Sequence, residues 1–429
     1  MRKILYVIIV LFLVMALGFV LFPSRKNQAA PIEQLKVDIA KPSPTPVPEK
    51  PLEAQVDPNP YVQLLLNEYQ LFISKAILSG KAPGAAVAIV RDSSIIFLQG
   101  FGLRESGTGD SINVNSVFRL GSVSKCFAAA LTGTLVKDQV LRWDDKVTHY
   151  LPNFKLKFKA NTDSLSIRHV LSHTIGLPYH AFTNMVEERV PLDTLLIRLQ
   201  DLDLIGLPGK VYSYQNVGYS IIEKVVQSAT GKLYEAALTE KLFQPLHMQN
   251  ASASYVGIIG NANVALPHHF TKRGWRPTAI SDTYYNVAPA GGINASIADM
   301  GLWLKAMLGT RPDVLPSETL NDILTPRIKA ISKNRNFSRW KRTKASYYAM
   351  GWRVLTFKND TLDYHGGYVN GYRTEVALDR KNKMAICVMI NAAGNLADQS
   401  IPQFFAIRSR YIHLIDTWEK QNESLLAKR

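Results

Sequence analysis

Segments that read as β-strands lie at the two ends of the folding part of this chain, and helical patterns fill the space between them. Apolar residues recur at helical spacing from Tyr61 to about Leu78. Two β-rich runs follow, Gly84 to Val90 and Ser94 to Leu98, parted by a polar turn at Arg91 and Asp92. Helical signals dominate from Ser122 to about Leu308, for example Tyr219 to Ala229, Leu233 to Leu242 and Ile297 to Met307. Strand patterns then return at Tyr348 to Phe357, Thr361 to Tyr364, Tyr372 to Leu378 and Met384 to Ile390, before a last helix from about Asp398 to Trp418. Strands that are remote in sequence but flank one helical block predict an α/β architecture: one antiparallel sheet built from both chain ends (about 61–130 and 290–418), with an inserted all-α region (about 131–289). A cleft is expected where insert meets sheet. No internal repeat is visible.

The amino end sets the expected compartment. Met1, Arg2 and Lys3 precede nineteen uncharged, mostly large apolar residues, Ile4 to Phe22. As a helix this run is ~28 Å long against a hydrocarbon core of ~30 Å, so it reads as a membrane anchor. The alternative is a cleaved signal peptide with Ala16, Leu17 and Gly18 as its cleavage site. Both place the following domain outside the cytoplasm: on the periplasmic side of the cell membrane in the first case, secreted or periplasmic in the second. Residues 23–60 hold 9 of the 22 prolines and read as a semi-rigid spacer. The folding domain is expected over 61–418, with a polar tail at 419–429.

An apolar share of 47% excludes wholesale disorder. Two cysteines, Cys126 and Cys387, are too few for a disulfide framework, and without CxxC or HExxH no metal or cofactor is expected. The formal charge of +16 calls for an anionic partner. Eight of those positive charges fall between Arg327 and Lys344 with no acidic residue among them. This stretch is either a solvated loop or a contact for anionic lipid or wall polymer; nucleic acid is not an expected partner of a chain sent outside the cytoplasm.

Three short elements offer chemistry. Ser122 follows Gly121 and opens a helical run, with Lys125 one helical turn on. A lysine amine beside a hydroxyl serves as its base when burial or a neighbouring charge lowers its pKa. Taken alone the pair is equally a helix cap and a surface lysine. Tyr214 and Asn216 offer a proton-passing phenol and an amide able to hold both a peptide carbonyl and a lysine. His365, Gly366, Gly367 and Tyr368 follow the Thr361 to Tyr364 strand, where two glycines allow a second backbone to approach, or simply make a hairpin turn.

Together, in this order and at this separation, the three elements resemble the serine β-lactamase and penicillin-binding protein superfamily, in the branch of class C β-lactamases and D-alanyl-D-alanine carboxypeptidases. The likeness extends over about Tyr61 to Tyr411, through Ile167 to Pro178, Pro208 to Tyr219, Ala288 to Leu304 and His365 to Asn391. It implies a β-lactamase-like (DD-peptidase) fold. It also implies Ser122 as nucleophile, Lys125 and Tyr214 sharing the proton transfers, and Asn216 binding the substrate amide. His365 to Tyr368 would be the substrate-binding strand, with the backbone N–H groups of Ser122 and Tyr368 as oxyanion hole. The implied activity is serine hydrolysis of β-lactams or D-alanyl peptides through an acyl-enzyme; an esterase of the same fold and a non-hydrolytic penicillin- or wall-binding protein are the alternatives. Three departures stand out. His365 replaces the lysine of true class C enzymes, so a cation for the substrate carboxylate would have to come from protonated His365 or from a nearby arginine such as Arg373. His247 replaces glycine in a Pro-Leu-Gly-Met turn. Cys126, beside Lys125, is rotated ~100° away on a helix and is expected in the core.

Overall fold

The computed structural model describes residues 52–330, 340, 343–358 and 360–423. The expected anchor at 4–22, all but the end of the spacer, and 331–339, 341 and 342 of the basic stretch lie outside the described residues. From Leu52 onward the chain forms one compact unit. No helix among the described residues is long and apolar enough to cross a membrane.

The elements used below are α1 (Pro60–Leu78), β1 (Gly84–Arg91), β2 (Ser94–Gly102), β3 (Val117–Arg119), α2 (Ser124–Lys137), α3 (Leu192–Arg198), α4 (Ile221–Thr230), β4 (Asn294–Ser296) and α5 (Ile297–Met307). They continue with β5 (Ile328–Lys329), β6 (Ala345–Tyr348), β7 (Arg353–Thr356), β8 (Thr361–Val369), β9 (Tyr372–Asp379), β10 (Met384–Ile390) and α6 (Asn395–Gln421). Eight strands form one sheet in the order β2-β1-β10-β9-β8-β7-β6-β5. Its neighbours are antiparallel throughout, and β1 from one chain end pairs with β10 from the other along its whole length, Ala85 opposite Ile390 to Arg91 opposite Met384.

Both faces of this sheet are buried, which is why β1 and β10 read as continuous apolar runs rather than alternating ones. Ala86, Ala88 and Val90 of β1, with Ala385, Cys387 and Met389 of β10, join the core shared with α2 and α5. Ala85, Val87 and Ile89, with Ile386, Val388 and Ile390, join the core capped by α1 and α6. Alternate residues thus serve opposite cores, as the two-residue period of a strand requires. The first and last helices cover one face and the central block covers the other.

The inserted region is not all-α. A hairpin of His268–Thr271 with Gly274–Pro277 interrupts it. Three of its strand residues, His269, Phe270 and Arg276, are exposed, and four-residue strands of mixed character carry too little periodicity to read. Nor does β8 stop at Tyr364: it runs through the glycine pair, and the turn into β9 falls at Asn370 and Gly371, both at positive φ (42° and 90°).

Candidate active site

Ser122 is placed by two strands too short to read from sequence. β3 pairs with β4, and the Leu120 N–H donates to the Ile293 carbonyl at 2.8 Å. The chain then turns through a 3-10 turn, Gly121–Val123, directly into α2. This turn is pressed against β8, and glycine makes the approach possible. A Cβ on Gly121, whose φ is +53°, would lie 2.9 Å from the backbone of Tyr368, and one on Gly367 would lie 2.0 Å from the Leu120 carbonyl oxygen and 3.2 Å from the Ser122 nitrogen. Two backbones therefore meet with no side chain between them. Half-buried Ser122 sits at that junction.

One helical turn on, Lys125 is fully buried. Its Nζ donates to the Asn216 Oδ1 at 2.8 Å and to the Ala290 carbonyl at 2.9 Å, and it stands 4.7 Å from the Tyr214 ring centre. Burial holds its pKa well below that of a free lysine, and the Arg353 cation presses the same way. The neutral amine has two hydrogens, which the two acceptors take, leaving the lone pair to receive a proton. Tyr214 is itself buried. Burial pushes its phenol up, against the pull of the Ser122 hydroxyl and of Arg353, so it rests as a neutral donor. Cys126 turns away and donates to the Gly351 carbonyl at 3.1 Å; burial raises its thiol, so it is a packing group.

Sequence reasoning missed several members of this site. Arg353, on β7, stands 5.5 Å from the Tyr214 ring centre on its guanidinium carbon and donates to the Tyr212 hydroxyl at 3.2 Å. Lys125 and Arg353 thus both lie against Tyr214. His173, fully buried, packs its ring 4.3 Å from Tyr214, 4.9 Å from Tyr219 and 4.8 Å from Tyr348. It accepts from the Gln215 N–H at 3.2 Å, and burial keeps it neutral. The Tyr219 hydroxyl donates to the Lys125 carbonyl at 2.7 Å, tying the second motif to the first. Arg353 carries one legible signal, a charge inside an apolar strand; the aromatic packing has none.

The third motif lies in strand, not in a turn. Pairing of β8 with β7 ends at Tyr364 opposite Arg353, whereas pairing with β9 continues to Val369 opposite Tyr372. Among the described residues, His365 to Val369 have no strand partner on the β7 side, which leaves an edge an extended ligand can join. Neither His365 nor Arg373 offers the cation; the nearby arginine that stands at this edge is Arg353, opposite Tyr364. His365 is buried, with its Nε2 3.1 Å from the Tyr348 hydroxyl and its Nδ1 3.0 Å from the Gly366 carbonyl. Burial, then Arg353 and Lys125, push its pKa well below normal, so it stays neutral. Arg373 is taken by Glu375 at 2.6 Å and Asp398 at 2.9 Å. Tyr368 is exposed. Among the described residues no cluster of His, Cys, Asp and Glu is arranged to hold a metal ion.

A family model for beta-lactamases matches residues 62–404, most of the chain and all three motifs. The chain belongs to the beta-lactamase family. Relatives in this family include protein flp of Staphylococcus aureus strain N315, 22% identical over 335 residues that cover 76% of this chain and 64% of flp. Another is the unguisins hydrolase ungD' of Aspergillus campestris, 24% identical over 326 residues covering 72% and 58% of the two chains. The chain therefore spans about three-fifths of the length of these curated relatives. Its fold matches the octameric penicillin-binding protein homologue from Pyrococcus abyssi with a TM-score of 0.69 at 21% identity, covering 81% of this chain and 77% of that one. The crystal structure of SurE matches with a TM-score of 0.64 at 19% identity, covering 82% and 76%. The beta-lactamase-like fold expected from the motifs is the fold observed.

Proposed function

We propose that this beta-lactamase family member is a serine hydrolase whose acyl-enzyme forms on Ser122. One observation carries the reading: a fully buried lysine one helical turn from Ser122, held by two acceptors against the ring of Tyr214. Ser122 Oγ attacks the substrate carbonyl carbon, and its proton passes to the Lys125 lone pair directly or through Tyr214. The negative charge that develops on the carbonyl oxygen faces the N–H groups of Ser122 and Tyr368, which the glycine junction holds side by side. The Lys125 and Tyr214 pair returns the proton to the leaving group as the carbon–nitrogen or carbon–oxygen bond breaks. Water then repeats the sequence on the acyl ester and frees Ser122. Asn216 holds the substrate amide, and the open edge of β8 aligns the acyl donor.

An acyl donor that lies along a strand edge suits a β-lactam or a D-alanyl peptide, and the apolar run at 4–22 would tether the domain on the extracytoplasmic side of the membrane. A second reading, an esterase, is favoured by His365, buried and neutral where a lysine would give the strand itself a cation. Full-length protein in detergent, offered a fluorescent penicillin, a chromogenic cephalosporin and a short-chain nitrophenyl ester, separates the two. Labelling or turnover of the lactams is expected on the first reading, and ester turnover alone on the second. A folded protein that reacts with none of them is not a hydrolase of this type.

Arg353 gives a pH prediction. Its cation lowers the Lys125 pKa, and Lys125 acts as base only when neutral, so activity rises as pH passes that pKa. Removing the cation in Arg353→Gln lets the Lys125 pKa rise. The acidic limb of the kcat/KM profile therefore moves to higher pH, while the limb of a variant altered at a distant arginine stays in place.

A further inference from the structure

Away from the site, a groove of about 260 Å³ opens between α3, α4 and the loop at 151–155. Phe154, Leu196 and Leu151 lie in its lining, with Ile197, Lys155 and Lys224 among the residues around them. Phe154 and Leu196 are buried, whereas Ile197 is 65% exposed. The volume falls below the ~300–1,000 Å³ usual for compact small-molecule pockets and suits a single unbranched apolar chain.

The loop that forms one wall continues as Lys155, Leu156, Lys157, Phe158, Lys159. Its alternation buries Leu156 and turns the three lysines outward, yet Phe158, which caps the next helix, is also turned outward and is 53% exposed. The Asn161 Nδ2 donates to the Gly206 carbonyl at 3.1 Å, and Lys157 pairs with Asp203 at 2.5 Å. These bonds bring up Ile205 and Leu207, which are 50% and 55% exposed. Four large apolar side chains are therefore exposed here, Ile197 on the rim of the apolar slot and Phe158 between Lys157 and Lys159 on the chain that leaves its wall. Exposed apolar groups beside lysines are the composition of an interfacial membrane contact.

Charge picks the lipid. Half-buried Lys224 is paired with Asp193 at 2.8 Å, and exposed Lys159 with Asp163 at 2.5 Å, where such a surface pair holds weakly. Lys155 has no acidic partner within ion-pair distance among the described residues and stands at the groove itself. We propose that this groove takes one acyl chain of an anionic phospholipid from a bilayer, with the headgroup phosphate at Lys155 and with Phe158 and Ile197 dipping into the interface. The domain would then lie on the membrane by its own surface, whatever the fate of residues 4–22 and independently of the hydrolase reading.

Photolabelling of the full-length protein tests this. The chain is reconstituted in phosphatidylcholine vesicles doped with a phosphatidylglycerol that carries a diazirine near the end of one acyl chain. Irradiated adducts are expected on peptides containing Leu151 to Lys155 and Leu196 to Gln200. They should fall by roughly tenfold in Ile197→Asp, as when one well-buried aliphatic contact is lost, and likewise in Phe158→Ser. Both side chains are already exposed, so both variants keep the parent melting temperature. Adducts confined to other segments, or equal labelling in the parent and both variants, overturn the proposal. Equal labelling from a diazirine phosphatidylcholine overturns the headgroup assignment to Lys155.

Discussion

Ser122→Ala is expected to lower kcat on every ester or amide that the protein turns over by on the order of 10⁴-fold or more, because it removes the atom that bonds to substrate. The fold should not notice. Ser122 is half-buried, and its backbone N–H, which the variant keeps, belongs to the 3-10 turn at the head of α2. Thermal unfolding should therefore change little while turnover collapses. Ser124→Ala is the matched control. The Ser124 hydroxyl is buried and accepts from the Ile293 N–H at 3.0 Å. Its loss strands that donor at a cost of about 1–3 kcal/mol of stability, with kcat largely kept. If the two variants exchange phenotypes, the nucleophile has been misassigned.

Gly367→Ala is expected to cost about 10²–10³ in kcat, the range for losing one oxyanion donor, with KM changed far less. The added Cβ would fall 2.0 Å from the Leu120 carbonyl oxygen and 3.2 Å from the Ser122 nitrogen, both backbone atoms that no rotamer change can move aside. Relief requires β8 to withdraw from the turn, which separates the N–H of Tyr368 from that of Ser122. The neighbouring Gly366→Ala makes the comparison sharp. There the Cβ would meet the Glu375 Oε2 and the Tyr364 hydroxyl, each at 2.7 Å, on side-chain ends that can shift. Gly366→Ala should thus perturb the hydrogen bond between Tyr364 and Glu375 and leave most of kcat intact. Equal kinetic losses in the two variants would mean that the glycine pair serves sheet packing alone.

These variants also mark what the sequence discloses and what it withholds. The two-ended sheet was legible because β1 and β10 are long apolar runs, and α5 because its apolar residues hold a helical period from Ile297 to Met307. The three-residue strands β3 and β4 were not, since three residues cannot display a period, yet they set the height of Ser122. Gly366 and Gly367 were open to reading as a turn because glycine is common in turns; their use here is to let two backbones touch. In the site, Ser122, Lys125, Tyr214 and Asn216 could be named from short motifs. The Ala290 carbonyl that holds Lys125 lies 165 residues away and is backbone, so no residue type announces it. Arg353 and His173 reach Tyr214 only through tertiary packing, and the cation sought at His365 or a nearby arginine falls to Arg353 rather than Arg373 because burial and ion pairing, which sequence does not reveal, decide charge.

The central claim is a covalent bond to one oxygen, and it can be weighed. Protein mixed with a fluorescent penicillin or a nitrophenyl ester, quenched in acid at short times, digested and analysed by mass spectrometry should carry the acyl group on the peptide containing Ser122. That mass should be absent from Ser122→Ala treated in the same way. An adduct on any other residue, or turnover that survives Ser122→Ala, would contradict the account.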